Sequence, residues 1–452
     1  MITNNIPRFL FPIVKPIWYL NLKNNNSHYH WVDYRKLNQN EKIIIDYCEL
    51  YESKNFSLFD ASYQALQKGI IDIKGDRSLN LPDKISVSLN DQYLFLRRMF
   101  KPIWVYYVFL FRAFTFKISF LEITAFFRSR KTRKIDFENS YFVNTEYDNF
   151  ISPLIRSKPK ISIIIPTLNR YEFLSDALFD IQKQLYNNYE VIIVDQSAPF
   201  IRKFYEKFDL NIKLIHQNTS SLWKARNSAI KKAKGDYILF FDDDSRVENN
   251  WIQEHLKCLD FYNADISAGV SLSLVGAPVP SNYNYFRWAD QLDTGNVLVK
   301  RDVFQVCGLF DRQFEGMRMG DGEFGARAHQ KGLKSIINPT AKRIHLKVRS
   351  GGLRELGSWD GLHPKNIFSP RPIPSVLYFY RKYWGNKLTR LYIIQTIPSS
   401  LMPYFMKGRY IGYIFSFIIF FLCLPLVIIQ VFRSWHISSK MLEEGSKIES
   451  YK

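Results

Sequence analysis

Between residues 160 and 241 the chain switches repeatedly between two hydrophobic periods, and this limits its fold more than any other feature. KISIIIP (160–166), EVIIVD (190–195), IKLIH (212–216) and YILFF (237–241) are short, nearly continuous apolar runs. Such runs are the pattern of strands buried on both faces. Between them Leu174, Leu178, Ile181 and Leu185 recur at helical spacing, and Asn169 with Glu172 resembles a capping box at that helix's start. FIRKFYEKF reads as a short helix, and SSLWKARNSAIKKAKG (220–235) as a helix closed by Gly235. The alternation predicts an α/β domain with a largely parallel sheet. Ligands of open α/β sheets bind beyond the carboxyl ends of the strands. Thr167 and Asn169, Asp195 and Gln196, and the triplet Asp242, Asp243 and Asp244 all follow strands, so they are expected to meet in one crevice.

Three consecutive carboxylates repel one another and need a cation or strong hydrogen-bond donors. An oxygen-rich cluster of this kind suits Mg²⁺ or Mn²⁺; the alternative is an exposed acidic turn. PTLNR, VIIVDQS, the ARN of WKARNSA and the DDD after ILFF, in this order, resemble the nucleotide-sugar half of family 2 glycosyltransferases over about residues 159–350. The resemblance implies the GT-A fold, a Rossmann-like nucleotide-diphospho-sugar transferase domain. It also implies a nucleotide-diphosphate sugar donor, a divalent cation and inversion at the anomeric carbon. Carried onto this sequence, it assigns Pro166, Thr167, Asn169, Asp195, Gln196 and Arg226 to the nucleotide, with Thr167 and Asp195 beside the base. Asp243 is assigned to the ribose, Asp242 to a supporting position and Asp244 to the metal. Gln196 stands where the family often has Asp or Asn, so the base stays open. No GxxxxGK[ST] loop is present, and Arg246 fills the last position of a would-be DxDx[TV] phosphatase motif.

GLFDRQFEGMRMGDGEFGARAHQKG (308–332) resembles the family's acceptor-side segment. Aligned through Arg327, Asp321 falls on the catalytic base, Gly320 replaces the acid usually before it, and Glu323 keeps the acid two positions on. A sugar hydroxyl is a poor nucleophile, so a carboxylate must take its proton. Gly320 and Gly322 are expected to let backbone approach the substrate; the alternative is that Asp321 or Glu323 caps the following helix. His345 in AKRIHLK is a second metal ligand by resemblance, or a structural histidine. Lys347, Arg349, Arg354 and the Gly351–Gly352 pair are expected to form a mobile basic loop over the diphosphate. TGNVLVKRDVF (294–304) is expected to be the strand and loop that border the acceptor pocket.

The whole chain carries a basic excess, 62 Lys+Arg against 42 Asp+Glu in 452 residues. That balance favours anionic partners, and nucleic acid is not expected, because no nucleic-acid fold signature accompanies RSRKTRK (128–134). Pro12, Lys15 and Pro16 break the first apolar run, so no secretory signal is read, and four scattered cysteines read as reduced thiols. Residues 1–155 form an accessory region of unknown role. Within it EKIIIDYCELY and DASYQALQKG have helical spacing, KISVSLN alternates like a strand, and 135–158 is a linker. PIWVYYVFLFRAFTFKISFLEITAFF (102–127) reads either as a segment on an anionic membrane surface or as an aromatic packing helix. A basic and aromatic extension (351–406) leads to the uncharged run 411–432, read as a transmembrane helix, with a re-entrant hairpin turning at Pro425 as the alternative. A polar tail, 433–452, follows. The expected protein is a metal-dependent inverting glycosyltransferase at the inner (cytoplasmic) membrane, its catalytic domain cytoplasmic. It would use a saccharide or lipid-linked acceptor in cell-envelope or extracellular polysaccharide synthesis. The competing reading is a non-catalytic basic membrane adaptor or nucleic-acid-binding protein with a degenerate α/β domain.

Overall fold

The computed structural model describes residues 10–451 apart from 17–21, 23–29, 82–86, 274–278, 291, 349–352, 354–360, 363–365, 403–405 and 407–408. The chain divides into two compact units: residues 1–144 with 384–395, and residues 145–383 with 396–452.

The first unit is helical: α1 (Phe11–Val14), α2 (Gln39–Ile43), α3 (Lys54–Gln67), α4 (Leu89–Met99), α5 (Pro102–Phe114) and α6 (Phe120–Arg128). The helix expected over EKIIIDYCELY stops after α2. Beyond it, side chains supply the backbone's partners: Gln64 exchanges hydrogen bonds with both Asp46 N and Asp46 O, and Arg98 also donates to Asp46 O. The described part of KISVSLN is not a strand; Ser88 caps α4 by accepting from Asp91 N at 3.1 Å. Residues 102–127 fold back as a two-helix hairpin through Phe116, at φ 55°. The fold-back brings Arg112 onto Glu122, with contacts of 2.5 and 2.8 Å, and the buried Tyr93 hydroxyl also donates to Glu122.

The second unit begins earlier than the expected linker allows. α7 (Thr145–Asn149) and α8 (Pro153–Ser157) precede the first strand, and Tyr147 is buried against Phe286, ring centroids 4.4 Å apart. The sheet strands are β1 (Ile161–Thr167), β2 (Tyr189–Asp195), β3 (Ile212–His216), β4 (Tyr237–Phe241), β5 (Ser245–Val247), β6 (Ile266–Ser273), β7 (Arg287–Trp288), β8 (Asn296–Lys300) and β9 (Ser335–His345). Their order is β3-β2-β1-β4-β8-β6-β9-β5, with β7 on β9. The half predicted from the apolar runs, β3-β2-β1-β4, is parallel. The other half makes the sheet mixed: β8 is antiparallel to β4 and β6, whereas β6 and β9 run parallel. The 294–304 stretch supplies the expected strand, β8, which lies inside the sheet between β4 and β6. Helices α9 (Tyr171–Gln182), α10 (Leu222–Lys232), α11 (Trp251–Phe261), α12 (Asp302–Cys307) and α13 (Gly320–Gln330) connect these strands. Asn169 makes no capping box; at φ 54° it bonds Ala198 N instead, and Arg170 occupies the N-cap of α9.

α14 (Pro374–Thr396) breaks at Gly385. The expected single helix over 411–432 is a bent pair, α15 (Tyr410–Leu422) and α16 (Leu424–Glu444), meeting at 84°. Pro425, in the first turn of α16, has no N–H to continue α15's hydrogen bonds. Among the described residues no single helix is long and apolar enough to cross a membrane. α16 runs well past 432 because its small and polar stripe is bound by protein: Gln430 accepts from Arg371 and Ser438 from Arg381, while Ser434 donates to Pro372 O. Nor is the end a free tail. Lys447 N donates to Asp311, and Leu309 N to Glu449 O at 2.8 Å.

Candidate active site

The triplet follows β4 and stays beside the sheet because the chain pairs again at once. β5 begins at Ser245, whose register partner is His345, and Leu346 N donates to Asp244 O. That pairing brings His345 Nε2 to 3.3 Å from Asp244 Oδ1.

Each aspartate has its own set of partners. Asp242 is held by two buried guanidinium groups, Arg226 and Arg343, each at 2.9 Å. Arg343 also binds Asp293 at 2.7 Å and Ser271 at 2.8 Å. A Cβ on Gly295 would lie 1.8 Å from Arg343 and 2.3 Å from Asp242, so only glycine lets that pair pass. Asp243 accepts from Thr167 Oγ1 at 2.7 Å and from Arg170 at 3.1 Å. Burial lifts the Asp243 carboxyl to about 6 against the pull of Arg170. Asp244 is held below the usual carboxylate range: burial opposes this, but the hydrogen bond and charge of His345 prevail, with help from Arg170. Arg170 thus bridges Asp243 and Asp244, and its other nitrogen donates to Val348 O.

Asp242, Asp244 and His345 present ligand atoms all within 4.8 Å of one another. Two carboxylates and an imidazole form a donor set that accepts a divalent ion. The residues present therefore fit one, with Arg170 supplying a competing positive charge.

The residues assigned to the base are each held by other side chains and backbone of the protein. Asp195 is buried and accepts from Tyr171 OH, Tyr205 OH and Ser197 N, at 2.7, 2.8 and 2.8 Å. Gln196 Oε1 accepts from Ser221 N and Gln217 Nε2. Pro166 lies in β1, paired with Val194. Asn169 N donates to Ser197 Oγ, so the loops after β1 and β2 are tied together.

On the acceptor side the two acids part company. Glu323 is fully buried and bound by Arg327 (2.7 Å), Lys382 (2.9 Å) and Tyr383 OH (2.7 Å). Burial would raise its carboxyl, but the Arg327 and Lys382 charges hold it below the usual range. Asp321 is half-buried in the first turn of α13, accepting from Gly322 N at 2.8 Å. At Gly320 a Cβ would meet the Trp223 ring at 2.3 Å, so glycine is needed there for packing. The Arg226 guanidinium lies 5.2 Å from the same ring. Trp223 and Arg226, one turn apart on α10, therefore connect the start of α13 to Asp242.

The structure adds Arg170, Trp223, Asp293, Gly295 and Arg343 to the residues marked in the sequence. Arg343 had a signal: it is two residues from His345, the spacing that puts side chains on one face of a strand. Of the basic loop, Lys347 and Val348 are described, whereas Arg349, Gly351, Gly352 and Arg354 lie outside the described residues.

The sequence pattern of the family described as Glycosyl transferase family 2 matches residues 162–319. The glycosyltransferase GlyG of Streptococcus pneumoniae is 31% identical over 233 residues, which cover 50% of this chain and 72% of that protein. The chain belongs to family 2 of the glycosyltransferases. A second relative, the poly(ribitol-phosphate) beta-N-acetylglucosaminyltransferase TarS of Staphylococcus aureus, is 26% identical over 27% of this chain. The match spans only 23% of TarS, and several other curated relatives are matched over less than a third of their length. A crystal structure of TarS residues 1–349 with UDP-GlcNAc covers 65% of this chain and 93% of that one, at 16% identity and a TM-score of 0.42. So distant a likeness carries no argument about this family 2 site.

Proposed function

We propose that this chain is a GT-A enzyme that moves a sugar from a nucleotide-diphosphate donor to a hydroxyl acceptor with inversion. Asp321 is the general base. It takes the acceptor hydroxyl's proton as that oxygen attacks the anomeric carbon, while the bond to the diphosphate breaks on the opposite face. Asp242, Asp244 and His345 would hold Mg²⁺ or Mn²⁺, which supplies charge neutralisation for the departing diphosphate. The loops after β1 and β2, with Thr167, Asn169, Asp195 and Gln196, form the nucleotide side, and Asp243 the ribose side. Arg226 supports Asp242 and keeps Trp223 against the start of α13.

One observation carries the reading: Trp223 and Arg226 join the aspartate cluster to the helix start that bears Asp321. A donor and an acceptor need such a junction, and a surface acidic turn does not. The bent pair α15–α16 leaves Ile411, Ile414, Phe421 and Leu422 between 64% and 77% exposed. We read it as an attachment to the cytoplasmic face of the membrane, suited to a lipid-linked or envelope saccharide acceptor in polysaccharide synthesis. The test is calorimetric titration of the protein with nucleoside diphosphates and Mn²⁺, followed by transfer assays with the matching nucleotide sugars. Tight Mn²⁺-dependent binding of one nucleotide is expected. Binding of none, with salt-sensitive binding to nucleic acid instead, would discard the enzyme in favour of a basic adaptor.

A further inference from the structure

We propose that the α5–α6 hairpin of the first unit is a docking surface for an anionic lipid bilayer, an inference independent of the glycosyl-transfer reading. Ile103, Leu110, Phe114, Phe116, Phe120 and Leu121 are 51% to 95% exposed within nineteen residues of chain. Soluble proteins rarely leave so much contiguous apolar surface in water without a partner for it. The hairpin cannot hide these side chains by rolling over, because its other face is already used. Val105, Val108, Ala125 and Phe126 pack with Tyr93 and Leu96 in a buried cluster.

The charges select the partner. Glu122 is the only acid between residues 101 and 135, and it is buried under Arg112 and Tyr93. Of the three charges within residues 102–127, Arg112 and Glu122 therefore cancel inside the fold, and Lys117 stays exposed. The exposed charges left on the hairpin and its flanks are basic: Lys101, Lys117, Arg128, Arg130 and Lys131. An apolar tip with a wholly basic rim fits acyl chains below anionic headgroups. A second copy of this surface would bring like charges together. At about 1.5 Å per residue, the thirteen-residue α5 reaches roughly 20 Å, short of the ~30 Å hydrocarbon core, so the hairpin lies in the interface and does not span it.

The test reads the hairpin directly, so attachment through α15–α16 does not mask it. The full chain carries Cys423→Ser and Phe116→Cys; the three other cysteines are buried, and residue 116 takes an environment-sensitive fluorophore. With vesicles containing phosphatidylglycerol, a blue shift and several-fold brightening are expected, with quenching by bilayer-borne spin labels. Lys117→Glu, Arg130→Glu and Lys131→Glu together should weaken vesicle affinity by roughly a hundredfold. An unchanged emission while the protein sediments with the vesicles overturns the proposal. So does an equal response to pure phosphatidylcholine, or a concentration-dependent shift without lipid, which would mark a protein–protein surface.

Discussion

The two acidic groups of the second unit differ in how their charge is met. In the triplet after β4, every carboxylate is answered by a basic side chain of the protein: Asp242 by Arg226 and Arg343, Asp243 by Arg170, Asp244 by Arg170 and His345. On α13 the division is unequal. Glu323 is buried under three partners, while Asp321, two residues earlier, stays half-exposed at the helix start. Neighbouring carboxylates thus take different work according to what surrounds them. The proposed base is thus the more exposed acid of its helix, and Glu323 ties that helix to Arg327 and Lys382.

The sharpest way to break this comparison is to exchange the roles on α13. Asp321→Asn should lower kcat by about 10²–10⁴-fold, the usual size of general-base catalysis, with nucleotide affinity unchanged by calorimetry. Full activity in that variant would move the base elsewhere. Glu323→Ala should instead unfold the domain more readily, by roughly 3–5 kcal/mol in urea titrations, because the buried Arg327 loses its carboxylate and Lys382 keeps only Asp311.

The same pair gives a pH test. Glu323's folded-state carboxyl lies below its ordinary 4.5. Its stabilisation is therefore present above that value and is lost as the pH falls through the lower folded-state value. Glu323→Gln should flatten this acid limb of the stability profile, whereas Asp321→Asn should leave that limb in place.

On the donor side, Asp244→Ala should weaken Mn²⁺ binding on the order of a hundredfold, read by the loss of free-ion paramagnetic resonance signal in a titration. The smallest effect is expected from Arg170→Ala. Removing a positive charge 3.1–3.2 Å from Asp243 and Asp244 should raise Mn²⁺ affinity several-fold in the absence of nucleotide. Weaker binding would mean that Arg170 organises the carboxylates, and does not compete for them.

Strands β1, β2 and β4 were legible almost to the residue, and so was the placement of three polar loops at their carboxyl ends. Helical spacing was less faithful in the first unit. EKIIIDYCELY has the period of a helix, yet hydrogen bonds from Gln64 and Arg98 hold its middle in irregular backbone. The capping box at Asn169 failed for a related reason, since Ala198 N, nearly thirty residues away, offered a better partner. At the C-terminus the apolar run predicted one helix, and the missing N–H of Pro425 made it two.

The sequence by itself determined the α/β class, the parallel half of the sheet and the acidic residues available for chemistry. These follow from local period and composition, which a neighbouring segment does not alter. The tertiary structure alone decided the mixed half of the sheet and the division of labour among the carboxylates. Arg343 lies 101 residues from Asp242 in sequence and 2.9 Å from it in space. Charge and hydrogen-bond energies depend on that second distance. The role of each acid is therefore set by which cations the fold brings to it.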